Sequence, residues 1–232
     1  MFKKYVEENQ LFTRHGHAAM AVMGCACGIA LGLGAGLAFL SESVWGLGWY
    51  LMFLGFFHFS EYICVALFNP KICSAESFLI NHSFEFNVAM AASFVEYFVE
   101  LWLFPGLKTF SPVIYLGLLG AIFGQVVRVA ALITAAHNFT HQIAEDKRPE
   151  HKLVTEGIYQ YVRHPGYFGW FWWSVMTQVV LFNPICIAGF AVASWKFFSD
   201  RIQYEEATLV EFFGDQYRAY KAKTPTGIPM IP

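Results

Sequence analysis

Apolar residues along most of this chain do not alternate with polar ones; they run nearly unbroken for twenty or more positions at a time. Such runs occupy 17–40, 44–68, 83–104 and 111–136, and a helix needs about 20 such residues to cross a bilayer. A fifth run, 166–198, is too long for one helix. Asn183-Pro184 lies near its middle, where proline removes a backbone donor and favours a turn, so the run predicts two short helices in a tight hairpin. Beyond it, 195–213 keeps helical periodicity, and a turn at Gly214 is expected to start a second helix ending before Pro225. The expected fold is therefore all-α, a polytopic integral membrane helical bundle of about six transmembrane helices. Residues 1–136 would supply helices 1–4 as a scaffold. Residues 137–232 would hold the hairpin and a cytoplasmic site built from the 137–165 loop and the C-terminal helices.

Composition agrees: of 232 residues 56% are hydrophobic and only 14% charged, outside the usual range of a water-soluble domain. Charge sets the orientation, because Lys and Arg collect on the cytoplasmic side. With the N-terminus in the cytoplasm, that side holds Lys3, Lys4, Arg14, Lys71, Lys147, Arg148, Lys152, Arg163, Lys196, Arg201, Arg218, Lys221 and Lys223. The far side holds Lys108, and Arg128 lies within a span. Both termini are thus expected in the cytoplasm, and the first run is expected to be a mature helix, not a cleaved signal. A net charge of −2 with no basic, aromatic-interleaved patch gives no reason to expect nucleic acid. Five cysteines without a CxxC pair are expected to be buried thiols, with no metal.

"GLGAG" at 32–36 resembles a nucleotide-binding loop, but such a loop joins a strand to a helix and this one lies inside an apolar run. Gly24, Gly28, Gly32 and Gly36 recur every four residues and predict a close-packing face, toward another helix or a second copy of the chain.

Polar residues inside apolar runs are costly, about 2.5–3.5 kcal/mol for an arginine at a helix centre. Arg128, with Gln125 on the same face, should therefore meet a polar cavity, an anion, or a structural glutamate such as Glu61, Glu96 or Glu100. Arg201 and Glu205 lie one turn apart on the tail helix, as an ion pair or as part of a site. The stretch "TEGIYQYVRHPGYFGW" predicts a Thr155 cap, a short helix, and His164 pushed toward extended geometry by Pro165. Pro165 suits the first turn of the next helix, which would leave the N–H groups of Gly166 and Tyr167 free for an anion.

"HKLVTEGIYQYVRHPGYFGWFWW", "RIQYEEATLVEFFGDQYRAY" and "PTGIP" together resemble the isoprenylcysteine carboxyl methyltransferases, integral membrane enzymes of the endoplasmic reticulum. The resemblance implies methyl transfer from S-adenosylmethionine to the C-terminal carboxylate of a farnesylated or geranylgeranylated cysteine. The clients would be processed CaaX proteins such as small GTPases, met in membrane lipid. By position it carries over a cofactor site of His151, Lys152, Leu153, Val154, Tyr159, His164, Pro165, Gly166, Tyr167 and Glu205. Arg201 and Arg128 would act on the substrate, with Gln125 beside Arg128. One departure is Ala144, where the family has glutamine. The RHP-x-Y element alone also fits phospholipid methyltransferases and some sterol reductases, and a lipid-binding membrane protein without catalysis would explain the spans. The glycine face leaves a homodimer open.

Overall fold

The computed structural model describes residues 12–13, 15–81, 83–147, 149 and 151–232; Lys3, Lys4, Arg14 and Arg148 of the charge argument lie outside the described residues. These form α1 (His17–Leu40), α2 (Trp45–Phe68), α3 (Phe84–Leu103), α4 (Ser111–Ala135), α5 (Pro165–Leu181), α6 (Pro184–Phe213) and α7 (Asp215–Lys221), joined by short 3₁₀ turns. Local chemistry sets the ends. Ser83 caps α3, its hydroxyl accepting from Phe86 N at 3.1 Å. α2 and α3 each stop one residue before a proline, at Asn69-Pro70 and Phe104-Pro105. Gly214 separates α6 from α7 at φ +54°, a conformation that side chains resist.

α1 to α4 are long and apolar enough to cross a membrane. The hairpin expected over 166–198 differs in one arm. α5 has 17 residues, but α6 runs 30 residues without a break, so the second arm and the first tail helix are one element. Nothing between Ala193 and Arg201 disfavours a helix, and the change from apolar to charged residues there is a change of solvent. The count of six spans therefore becomes four such helices plus a hairpin. Thr155 caps nothing: the following element is a single 3₁₀ turn, Gly157–Gln160, with Glu156 before it and no side-chain cap.

The described chain forms two compact units, neither coinciding with 1–136 or 137–232: one takes the residues up to Leu118 and Thr177–Cys186, the other Leu119–Met176 and Ile187–Pro232. In the first, α1 packs on α2 through small residues. A methyl on Gly34 would lie 2.7 Å from Gly48 O, and one on Gly55 2.8 Å from Cys27 O. Of the two partners expected for the regular glycine face, a neighbouring helix does not meet it: Gly28, Gly32 and Gly36 meet nothing within 4 Å among the described residues, and Gly24 only the tip of Phe78. Leu47, Tyr50, Tyr97 and Leu181 form a core. The hairpin turn is held by polar groups. Lys108 Nζ, fully buried, donates to Glu100 Oε2 (2.6 Å), Leu181 O (3.0 Å), Phe182 O (2.9 Å) and Asn183 Oδ1 (3.0 Å). Glu96 accepts from Ile185 N and Cys186 N, both at 2.7 Å, occupying the N-terminus of α6. Two of the three glutamates considered for Arg128 are thus engaged here. Cys27, Cys64 and Cys186 are buried as expected, but Cys25 is exposed.

In the second unit α4 meets α5 at glycines: a methyl on Gly124 would lie 2.5 Å from Trp173 N, and one on Gly169 2.6 Å from Arg128 N. Phe171, Val175, Phe198 and Ile202 form a core that Ile228 and Ile231 of the returning tail complete. The tail is fastened by Arg163 N donating to Pro225 O (3.0 Å) and Trp195 Nε1 to Pro229 O (2.8 Å).

Candidate active site

The second unit holds a cavity of about 970 Å³, its open mouth included, walled by residues of 138–144 and 151–154, the start of α5 and one face of α6. His151, Lys152, Leu153, Val154, Tyr159, His164, Pro165, Gly166, Tyr167 and Glu205 all line it, as does Ala144. Two segments far apart in sequence meet here because α5 and α6 return antiparallel on the Phe171–Phe198 core.

At the start of α5 the anion site is narrower than expected. His164 O accepts from Tyr167 N (3.1 Å) and Phe168 N (3.0 Å), so only the Gly166 N–H is without a partner among the described residues. The turn tightens at Pro165 and takes up the second donor itself.

Behind the cavity wall lies a buried ionic cluster that sequence reasoning missed. Glu206 Oε1 accepts from Arg163 Nε at 2.5 Å and faces His164 Nε2 at 3.2 Å, while Lys221 Nζ donates to Oε2. Arg163 Nη1 also donates to Thr224 O at 2.8 Å. Burial pushes the Glu206 carboxyl up, but the bonds from His164, Lys221 and Arg163 outweigh it and hold the group well below the usual carboxylate range. His164 Nε2 faces the Glu206 carboxyl, which fixes the ring's orientation, and the ring stacks on Tyr167, centroids 5.6 Å apart at 10°. A signal existed: Glu206 adjoins Glu205, and a lone charge facing the apolar side of α6 calls for a buried partner.

Glu205 faces the cavity itself. Its Oε2 lies 3.8 Å from His164 Nδ1, beyond hydrogen-bond reach, and it accepts no hydrogen bond among the described residues. Burial and the Glu205 charge push the Tyr159 phenol above its ordinary value, so it is neutral. Thr208, Leu209 and Phe212 continue the wall, and the spacing 205, 208, 209, 212 is one helical stripe that would have named them in advance.

Arg201 lies at the edge of this cavity and lines a second, more open cleft with Gln142, Ile143, Glu145, Asp146, Phe197, Asp200 and Tyr204. Its Nε donates to Tyr167 Oη at 2.9 Å and its Nη2 to His141 O. Tyr167 faces the first cavity and Arg201 the second, so the pair marks their junction. Arg128 and Gln125 line neither. Arg128 is buried beneath, its guanidinium 5.1 Å from the Phe139 ring and 5.2 Å from the Trp170 ring. Both rings and the space left at Gly166, where a methyl would lie 2.9 Å from Nη1, fit Arg128 as support for the floor.

A family model for the isoprenylcysteine carboxyl methyltransferase family matches residues 115–211. The protein-S-isoprenylcysteine O-methyltransferase of Dictyostelium discoideum is 48% identical over 97% of this chain and 95% of its own length. Its counterpart in Xenopus laevis is 45% identical over 91% of this chain and 74% of its own. Among solved structures, the eukaryotic intramembrane Ras methyltransferase ICMT superposes with a TM-score of 0.90 at 41% identity, over 92% of this chain and 77% of that one. These agreements extend well beyond the motif-bearing half, and the chain belongs to the isoprenylcysteine carboxyl methyltransferase family.

Proposed function

We infer that this protein methylates the C-terminal carboxylate of a prenylated cysteine, using S-adenosylmethionine. The observation that carries the reading is the placement of Arg201, fixed by Tyr167 at the junction of an enclosed cavity and an open cleft. Its Nε and Nη2 are held by Tyr167 and His141, and Nη1 has no partner among the described residues. The fork thus keeps an edge for a carboxylate.

The cavity lined by Glu205 and Gly166 fits the methyl donor. Glu205 Oε2, without a hydrogen-bond partner among the described residues, suits a cationic sulfonium, and the Gly166 N–H suits a carboxylate. Tyr159, Phe139 and Phe212 offer faces for an adenine ring. When bound, S-adenosylmethionine supplies an electrophilic methyl, the carboxylate oxygen forming the O–C bond as the C–S bond breaks and its electron pair stays on sulfur. An α-carboxylate has a pKa of about 3.3–3.7 and is already ionised, so this chain need remove no proton. What Arg201, Tyr167 and His164 do is hold the acceptor in line and exclude water, an effect on the order of 7–11 kcal/mol at most. Phe197 and Tyr204 beside Arg201 suit the start of a prenyl chain entering from the bilayer.

This reading takes as clients prenylated CaaX proteins such as small GTPases, in the endoplasmic reticulum membrane with both termini cytoplasmic. The open Gly28, Gly32 and Gly36 face is available for a second copy.

The test offers the purified protein labelled S-adenosylmethionine with N-acetyl-S-farnesylcysteine or with phosphatidylethanolamine. Base-labile methyl ester from the first alone is expected; methylated amine from the second would replace this reading. Arg201→Ala should lower turnover about 10²–10³-fold, as loss of a charged transition-state contact does, while the protein still inserts.

A further inference from the structure

The wall of the donor cavity formed by Phe139, Thr140, Gln142, Ile143 and Ala144 belongs to a strap, 139–147, with no helix or strand of its own. Its base is tied where Asn138 Oδ1 accepts from Lys152 N at 3.0 Å, and Thr140 Oγ1 bonds Gln142 O at 2.6 Å within it. Two side-chain bonds fasten it to α6. One is Arg201 Nη2 to His141 O; the other is Lys147 Nζ to Phe212 O at 2.5 Å, with the ammonium 4.7 Å from the Phe213 ring. Gln142, Glu145, Asp146 and Lys147 are exposed. A segment with few buried contacts opens at low free-energy cost.

The clasp sits where it has leverage. Phe212 and Phe213 end α6, where carbonyls lack intrahelical partners and a cation is favoured. Both also line the cavity, so one lysine joins two of its walls. A charged, water-soluble ligand must reach this cavity from water, and of its two irregular walls, 139–147 and 151–154, the first carries the exposed run Gln142, Glu145, Asp146 and Lys147 and is the one placed to yield. We propose that 139–147 is the gate of this cavity and that Lys147 is its positioning residue, closing the strap over the bound ligand. This rests on reading the cavity as the methyl donor's site. It gives Lys147 a task separate from Arg201, which is shared between the strap and the acceptor.

The test compares the full-length protein with Lys147→Ala and Lys147→Arg. Binding of S-adenosylhomocysteine is followed by calorimetry, hydrogen exchange is followed over 139–147, and steady-state constants are measured for donor and acceptor. An exposed bond to a helix C-terminus is a small effect, so Lys147→Ala should raise the Kd and the donor KM about two- to fivefold. The kcat and the acceptor KM should stay unchanged, exchange in 139–147 should quicken, and Lys147→Arg should restore all three. Unaltered Kd and exchange, a fall in kcat alone, or failure of Lys147→Arg to restore would overturn the gate. If S-adenosylhomocysteine fails to bind the unaltered protein, the donor-site reading falls and the gate with it; binding that ignores Lys147 removes the gate alone.

Discussion

Each unit buries a cation beside glutamates, and the two arrangements end differently. In the first unit, Lys108 faces four oxygen acceptors and the Tyr97 ring, and both oxygens of Glu96 accept backbone N–H groups. In the second, the chain of contacts runs from Lys221 and Arg163 through Glu206 to His164 and stops short of closure. Glu205 Oε2 accepts nothing and Arg201 keeps Nη1, among the described residues. A buried polar group left without a partner costs stability, and a carboxylate oxygen more than a neutral group; the buried orphans of the first unit, Tyr97 Oη and Gln178 Nε2, are neutral, whereas Glu205 Oε2 belongs to a carboxyl group. The cluster whose ionisable groups are matched is read as structure and the one with an unmatched carboxyl oxygen as a site.

Removing the cation of the matched cluster should have the largest effect on stability. Lys108→Met leaves Glu100 with a poorly solvated charge, and breaking a buried pair from one side costs about 3–5 kcal/mol. Thermal unfolding in detergent should show that loss, Lys108→Met with Glu100→Gln should recover most of it, and turnover per folded molecule should hold. A single variant as stable as the parent would remove the lock.

Glu206 should show a smaller effect, with a sign fixed by its titration. Its folded-state pKa is depressed below the ordinary 4.5, so its stabilisation is present above that value and is lost as pH falls through the folded one. Near neutrality Glu206→Gln should cost about 1.5–3 kcal/mol, the worth of hydrogen bonds to a charged group. The difference in melting temperature should shrink as the medium is acidified below about pH 4.5. A gap that persists in acid would mean that packing, not charge, is what Glu206 supplies.

The parts of this molecule legible in sequence were those set by one solvent and one period. The four long spans agree with the helices to within a residue at each end because bilayer thickness and flanking Pro or Ser fix both ends. α6 was split in prediction because its first part is apolar and its second amphipathic, while the backbone is indifferent to the change. The glycines that pack within the chain lie elsewhere than the regular spacing suggests, for a related reason. Regular spacing pointed to Gly28 and Gly32, yet contact is decided by which face meets a neighbour, and the close approaches fall at Gly34, Gly48 and Gly124. The ten cofactor residues carried over by resemblance line one cavity, whereas Arg201 lines the cleft beside it and Arg128 and Gln125 line neither; Glu206 and Arg163 escaped because a buried pair depends on tertiary approach, which spacing along one helix does not encode.

The smallest of these effects tests the open end of the comparison most directly. Glu205→Gln keeps the shape of the side chain and removes its charge. If the orphan oxygen is there for a positive group, the loss must depend on the charge of the ligand. S-adenosylmethionine carries a sulfonium and S-adenosylhomocysteine a neutral thioether, the two otherwise differing by one methyl. The Glu205 side chain is 27% exposed, so the attraction is screened and worth about 1 kcal/mol, roughly a fivefold change in Kd. Calorimetry on both ligands should show that loss for the methylated one and almost none for the other. Equal weakening would mean that Glu205 contacts some other part of the donor, and an unchanged pair would mean that its free oxygen meets no part of the donor; either result would leave Arg201 as the sole open end of the cluster.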